Sequence, residues 1–395
     1  MSEQTIGWRD DFAHVMMKST PPPLTQLVRG EGARVWDIDG NEYLDFLAGI
    51  AVNALGHAHP VFVDAVSRQA ATLAHVSNYF STPPQLELAS RLLRLSGAGD
   101  RGRVFFGNSG AEAIEAAIKL ARRTGRPRIL ALENSFHGRT MGSLSLTGKP
   151  ALQADFLPLL PGIQHLPTTI EALEAAIGED VAALVLEPIK GEAGVVELPE
   201  GYFEAARELT ARHGTLLIVD EIQTGAGRTG DWFAFQQYGT APDQLPDAIA
   251  VAKGIGGGFP IGALITFGAA SDLLVAGNHG STFGGNPLAT ATANAVLGEI
   301  ERAGLVENAA SRGIQLRAAI AGLPHVAEVR GRGLLIGVGL DAPIANAVVA
   351  SAMQLGLIVN AANDTSIRLA PPLIIGDAEI TEFTTKFRAA LEAQP

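Results

Sequence analysis

The chain has 395 residues, 47% of them hydrophobic and 18% charged, a globular composition that suits two or three domains or one large α/β domain with a satellite. Its net charge of −12, dispersed without like-charge blocks, argues against a general nucleic-acid or anionic-membrane surface. The absence of cysteine excludes a disulfide framework, thiolate catalysis and a Cys-ligated zinc site.

In chain order, Met1–Thr5 has no basic region leading into an apolar core, so no signal peptide is expected. No apolar stretch reaches the roughly 20 residues that a bilayer span needs. A cytoplasmic protein without a membrane partner is the expectation. Asp10–Lys18 reads as helix, and Pro21-Pro22-Pro23 then favours an extended crossing. Val35–Ile38 and Glu42–Phe46 flank Asp39-Gly40-Asn41, a hairpin signal. His57-Ala58-His59 has metal-ligand residue types, but no further ligand set accompanies it, and a turn before Pro60 is the reading; no metal is expected.

Residues 61–287 alternate helical patterns with continuous apolar runs. The predicted strands are Arg103–Phe106, Arg128–Leu132, Ala182–Leu186, Thr215–Val219, Ala248–Ala252 and Gly262–Phe267. Runs apolar on both faces fit a mostly parallel sheet covered by helices, so the fold class is α/β. Helices are predicted over Glu112–Arg122, Ile170–Ile177 and Gly201–His213. Residues 288–395 have the texture of a smaller α+β domain: an alanine-rich helix from Leu288, strands at Arg332–Val338 and Ile367–Ala370, and a last helix capped by Asp377 and running to Glu392. The N-terminal segment, 1–60, is expected to join that smaller domain.

Several motifs sit at the ends of these runs. Ser109-Gly110-Ala111-Glu112 follows the first strand with capping-box spacing, which serves either an ordinary capped helix or an anion, typically phosphate, at a helix N-terminus. Ser135–Thr140 gathers Phe136, His137 and Arg139 in a loop; His137 reads first as a hydrogen-bonded structural histidine and second as a general base. Arg139, like Arg368, offers a fork for a carboxylate or a surface ion pair. Gly142 and Gly148-Lys149-Pro150 do not keep P-loop spacing, and Gly225–Gly230, although G-x-G-x-x-G, neither opens directly off a strand nor leads into a dinucleotide-binding helix.

Asp220 ends one apolar run and Lys253 ends the next, opening onto Gly254-Ile255-Gly256-Gly257-Gly258. Asp220 suits a helix N-cap or a turn, or a carboxylate that keeps a ring nitrogen protonated. Burying an unpaired ammonium is costly, so Lys253 is either partnered in its turn or a covalent amine whose pKa desolvation lowers.

Longer phrases sharpen these alternatives: Leu44–Pro60, Asn108–Arg122, Ser135–Thr147, Leu186–Val195, Val219–Gly230, Ala252–Ala263, Gly280–Pro287 and Arg368–Leu373. Together they resemble the class III, fold-type-I aminotransferases that depend on pyridoxal 5′-phosphate, over about Leu27–Leu391. The resemblance implies that Lys253 carries the cofactor covalently and Asp220 meets its ring nitrogen. It implies that Gln223 reaches the phenolic oxygen, that Phe136 and Ile222 cover the two ring faces, and that Ser109, Gly110 and Ala111 hold the phosphate. Thr282 is implied to complete the phosphate site of the neighbouring copy in a homodimer with shared active sites. Arg368 is implied to bind the substrate α-carboxylate, Arg139 the distal carboxylate of glutamate or 2-oxoglutarate, and Glu192 to partner Arg368 otherwise; Ser281 is expected at the substrate.

Within the class the likeness is greatest to members acting on N2-acetylornithine, which implies transfer of its δ-amino group to 2-oxoglutarate. Succinyl-diaminopimelate, ornithine and 4-aminobutyrate are the alternative donors; a racemase or decarboxylase of the same fold and a non-catalytic binding protein are the remoter readings. Gly107, Ile114 and Lys190 depart from the usual family residues, and Lys190 is expected to compete for Glu192. Thr20–Leu24 offers no tyrosine of the kind that holds an unacylated donor, which favours an N-acylated one.

Overall fold

The computed structural model describes residues 4–395, with side chains from Gly7 onward. The expectation drawn from Met1–Thr5 therefore rests mostly on residues outside the described ones. The first helix is Gln4–Val15, earlier than read, because the chain already turns at Met16–Ser19 on its way to the three prolines.

A seven-stranded sheet fills the middle of the chain. Its spatial order is Arg103–Gly107, Gly262–Thr266, Ala248–Val251, Leu216–Asp220, Val181–Leu186, Arg128–Leu132, Ile163–Leu166. The last five pair in parallel. Gly262–Thr266 runs antiparallel to both neighbours, since the stretch 252–261 is too short for a parallel crossover of about a dozen residues or more. Two reversals return Arg103–Gly107 to the parallel direction. The C-terminal ends of the other six strands and the start of Gly262–Thr266 thus share one edge. Ile163–Leu166 escaped sequence reading because it is a short edge strand with a polar residue on each face, Gln164 and His165, which breaks the apolar run.

Alternation along each strand feeds two apolar layers. Ile129, Val185, Ile218 and Leu264 pack under the Ala113, Ile114, Ala117 and Ala121 stripe of helix Gly110–Arg122. Leu130, Leu184, Leu217 and Ile249 join Leu88, Leu92, Phe203 and Val296 in the main core. Each such aliphatic side chain contributes about 1.5–3 kcal/mol by leaving water. Ile114, at one of the atypical positions, is fully buried in the first layer.

The remaining strands form smaller sheets. Leu27–Glu31, Arg34–Asp37 and Glu42–Asp45 are joined by Leu357–Ile358, so the N-terminal hairpin shares a sheet with the C-terminal part of the chain. Phe46 stacks on Phe383 of the last helix with ring centroids 4.2 Å apart. Val326–Arg332, Leu335–Leu340, Ser366–Leu369 and Asn360–Asn363 make the other sheet. The strand read at Arg332–Val338 is therefore the junction of two, broken at Gly333, whose φ of +51° suits a turn. The last helix, Asp377–Glu392, is capped by Gly376 rather than Asp377, whose carboxylate instead holds Arg312 and Gln315. His57 and His59 are likewise engaged locally, the first with Asp45 at 2.8 Å and the second as cap of helix Pro60–Thr72.

Candidate active site

At the shared edge lies a cavity of about 370 Å³, lined among others by Asp220, Lys253, Phe136 and Ile222. Strand register sets Asp220 opposite Ala250, so Lys253, three residues further, rises beside it. Lys253 holds a φ of +47°, a left-handed conformation costing a non-glycine residue about 1–3 kcal/mol, and this turns its side chain out of the strand end. Burial lowers the Lys253 pKa and the Arg368 charge lowers it further, against Glu192, Asp220 and Glu187. Both effects favour the neutral, nucleophilic amine.

Asp220 is 4% exposed. One oxygen meets His137 Nδ1 at 2.7 Å and the other accepts from the Ile222 amide at 3.0 Å. His137 is thus the hydrogen-bonded structural histidine of the first reading. Burial opposes its protonation, but Asp220 prevails and its pKa is raised, which leaves it a donor to that carboxylate. Beside this pair stands Glu187, which sequence reading missed. It ends the run Val181–Leu186 as Asp220 ends its own, and that shared position is the signal that could have found it. Its carboxylate accepts from the Phe136 amide at 2.9 Å, and burial drives its pKa up.

The opposite end of the cavity is built for an anion. Ser109 caps helix Gly110–Arg122 by accepting from the Glu112 amide at 3.2 Å. Glu112 does not return to Ser109; its carboxylate takes the amide and side chain of Asn108, a further lining residue not foreseen. The first-turn amides, including those of Gly110 and Ala111, have no intrahelical acceptor. A Cβ on Gly110 would lie 2.7 Å from Ile222, so glycine keeps the cradle open. Gly107, the neighbouring atypical residue, leaves room for Glu112, which a Cβ there would approach to 3.0 Å. Ser281 and Thr282 lie outside this wall and line a second cavity of about 420 Å³ with Asn108 and Glu112. Ser281 Oγ accepts from Asn108 at 3.2 Å, and Thr282 is exposed.

A third group of residues concerns carboxylates. Arg368, 2% exposed, donates to Glu192 and, through Nη2, to Asn360 at 2.7 Å. Gln223 Oε1 accepts from Arg368 at 3.5 Å. Burial would raise the Glu192 pKa, but Arg368 outweighs it and the pKa is lowered. Arg139 is exposed, its guanidinium carbon 5.7 Å from the Phe136 ring centroid. Lys190 does not compete for Glu192: its amine turns the other way, to Glu133 O at 2.7 Å and Thr168 Oγ1 at 2.5 Å. The lysine that does reach Glu192 is Lys149, which holds its carbonyl oxygen at 2.7 Å.

A neutral-leaning amine, a fixed carboxylate, an aromatic ring and an aliphatic branch in the same cavity wall and a set of free helix amides suit a flat, phosphorylated heteroaromatic aldehyde. The residues fit pyridoxal phosphate, and Lys253, Asp220, Phe136, Ile222 and Ser109–Ala111 would hold it. Residues 15–391 match the model of the family described as Aminotransferase class-III. The acetylornithine aminotransferase of Streptomyces coelicolor is 52% identical over 384 residues, covering 96% of this chain and 93% of the relative. That of Mycobacterium tuberculosis is 50% identical over 394 residues, covering 99% and 98%. Among solved structures, an ornithine aminotransferase from Toxoplasma gondii superposes with a TM-score of 0.90 at 35% identity, covering 97% of this chain and 94% of that one. An (S)-enantioselective omega-transaminase from Thermomicrobium roseum superposes with a TM-score of 0.89 at 34% identity, covering 97% of each.

Proposed function

This chain belongs to the class III aminotransferases, and on that premise we propose that it moves the δ-amino group of N2-acetylornithine to 2-oxoglutarate. The products are N-acetylglutamate 5-semialdehyde and glutamate, and the step serves arginine biosynthesis. The cofactor is pyridoxal 5′-phosphate, which when bound supplies an electron-withdrawing ring to the carbon that loses a proton. Lys253 tethers it and Asp220, oriented by His137, faces its ring nitrogen. Ser109, Gly110 and Ala111 take the phosphate, completed by Thr282 from a second copy of the chain in a cytoplasmic homodimer. Phe136 and Ile222 enclose the ring and Gln223 meets its phenolic oxygen.

Lys253 Nζ acts as general base, taking the proton from the substrate carbon that bears the amino group; its conjugate acid returns a proton when 2-oxoglutarate is aminated. Arg368 seats the α-carboxylate of glutamate and 2-oxoglutarate, Arg139 their distal carboxylate, and Ser281 lies at the substrate. With N2-acetylornithine, whose reacting amine is distal, Glu192 neutralises Arg368 instead. The observation carrying this reading is the Glu192–Arg368 pair in the neighbourhood of Lys253: a carboxylate seat that the chain itself can fill or vacate.

The purified protein should be yellow, and borohydride should fix the cofactor to Lys253. Lys253→Ala should lose that fixation and at least about 10²- to 10⁴-fold of the rate. Fixation undiminished in the variant would refute the assignment of Lys253. A donor panel with 2-oxoglutarate, comparing N2-acetylornithine, succinyl-diaminopimelate, ornithine and 4-aminobutyrate, should give the first the highest kcat/KM. A higher value for any other would transfer the substrate assignment to it.

A further inference from the structure

The segment Gly225-Ala226-Gly227-Arg228-Thr229-Gly230 forms no phosphate loop. Its glycines admit the helix Leu305–Ile320: a Cβ on Gly230 would lie 2.9 Å from the Ala310 Cβ, and one on Gly227 3.1 Å from the Val306 side chain. From the other side, a Cβ on Gly333 would lie 2.4 Å from the Thr229 carbonyl carbon and 2.6 Å from Arg228 O. At the centre is Arg228, 2% exposed. Its Nη1 donates to Leu334 O at 3.1 Å and to Pro371 O, and the Leu334 amide returns a bond to Arg228 O at 2.9 Å. Burial lowers its pKa to about 9, with no carboxylate opposing among the described residues.

Those two carbonyls end neighbouring strands. Leu334 precedes Leu335–Leu340, whose Gly337 pairs with Arg368, and Pro371 follows Ser366–Leu369, which carries Arg368. The guanidinium therefore closes the open end of the ladder that presents Arg368. The same loop touches Arg368 from its other end, through Gln223. Burying a cation with no counter-charge costs several kcal/mol, which a residue that only filled space would not incur. A guanidinium reaches two carbonyls at once through a rigid set of N–H donors; an ammonium is a point charge on a flexible stem.

We propose that Arg228 is a positioning residue for recognition of the substrate carboxylate. It locks the strand of Arg368 to the loop that follows Asp220, so that a carboxylate on Arg368 stands at a set distance from Lys253. The inference rests on the reading of Arg368 as the carboxylate seat.

Two carbonyl reagents test it on the cofactor-loaded protein: aminooxyacetate, which bears a carboxylate, and methoxyamine, which does not. Each reaction is followed by the change in visible absorbance, and calorimetry gives the Kd of the unreactive dicarboxylate glutarate. The wild type should favour aminooxyacetate. Arg228→Lys should cut that preference about tenfold or more and weaken glutarate to match, while the methoxyamine rate and the thermal midpoint hold far better. Arg228→Gln serves as the second variant should the lysine not fold. In an Arg368→Met background, changing Arg228 should alter the preference no further. A preference retained in both variants, or both reagents slowed alike, overturns the proposal. No preference in the wild type overturns the reading of Arg368 and the proposal with it.

Discussion

Arg368 is nearly sealed from solvent, yet its guanidinium is unevenly satisfied: Glu192 and Asn360 hold its outer nitrogens and its Nε has no partner. An arginine so placed needs an anion, and Glu192 is the one present. Its main chain is held by Lys149, and its side chain, 28% exposed, is held at the carboxylate by Arg368. Glu192→Gln removes the charge and keeps the shape. In single-turnover half-reactions, the rate ratio of N2-acetylornithine to glutamate should fall about tenfold, equivalent to ~1.4 kcal/mol of discrimination. An unchanged ratio would mean that Glu192 is no switch. Lys253 and Asp220 were legible one residue at a time, because each ends an apolar run where a charge is out of place. Glu187, directly after Val181–Leu186, meets the same criterion.

Among the elements, the turn-rich loop after Leu216–Asp220 buries Glu221, Gln223, Thr224, Arg228 and Thr229. Glu221, 1% exposed, accepts from the amides of Ala234 and Phe235 and from Thr224, and so caps the short helical turn Ala234–Tyr238. Burial pushes its pKa up from an ordinary 4.5 to about 7. Between those values the folded chain keeps a proton that the unfolded chain has lost, so stability falls as pH rises through the window. The melting temperature of the wild type should therefore drop by a few degrees from pH 5 to pH 7, and Glu221→Gln should flatten much of that slope. Glu187, raised in the same direction, keeps a share of it in the variant. A slope that the substitution leaves intact would assign the titration elsewhere. Helix Gly110–Arg122 was readable from its cap and apolar stripe, whereas the partner chosen by Glu112 depended on where Asn108 lay.

For the whole molecule, the second cavity and its surroundings bear on assembly. Tyr79 is 92% exposed, Phe80 67% and Phe283 59%, and Asn78 binds Ser281 O at 2.7 Å. Exposed aromatic side chains beside Thr282 suit burial against a second copy. Mixing inactive Lys253→Ala chains with Thr282→Asp chains, then denaturing and refolding them together, should restore activity in about a quarter of the sites by random pairing. Each hybrid dimer would join an intact Lys253 to an intact Thr282 at one of its two sites. Activity no greater than that of the two preparations refolded separately would show that Thr282 serves its own chain's site or none.

The sequence by itself determined the apolar strands, the main helices that cover them, and the charged residues stranded at their ends. These follow from short-range periodicity and from the cost of burying charge, both local properties of the chain. The resemblance added a cofactor, and with it a use for the amine and the carboxylate. Only the tertiary structure decided the reversed strand Gly262–Thr266, the edge strand Ile163–Leu166 and the hairpin at Gly333. It alone turned Lys190 away from Glu192 and set Lys149 there instead. It also gave Gly225–Gly230 a purpose in joining the loop after Asp220 to the strand of Arg368. Those outcomes depend on which distant segments meet at the sheet edge, and a side chain's choice of partner is settled only when packing brings the candidates within reach.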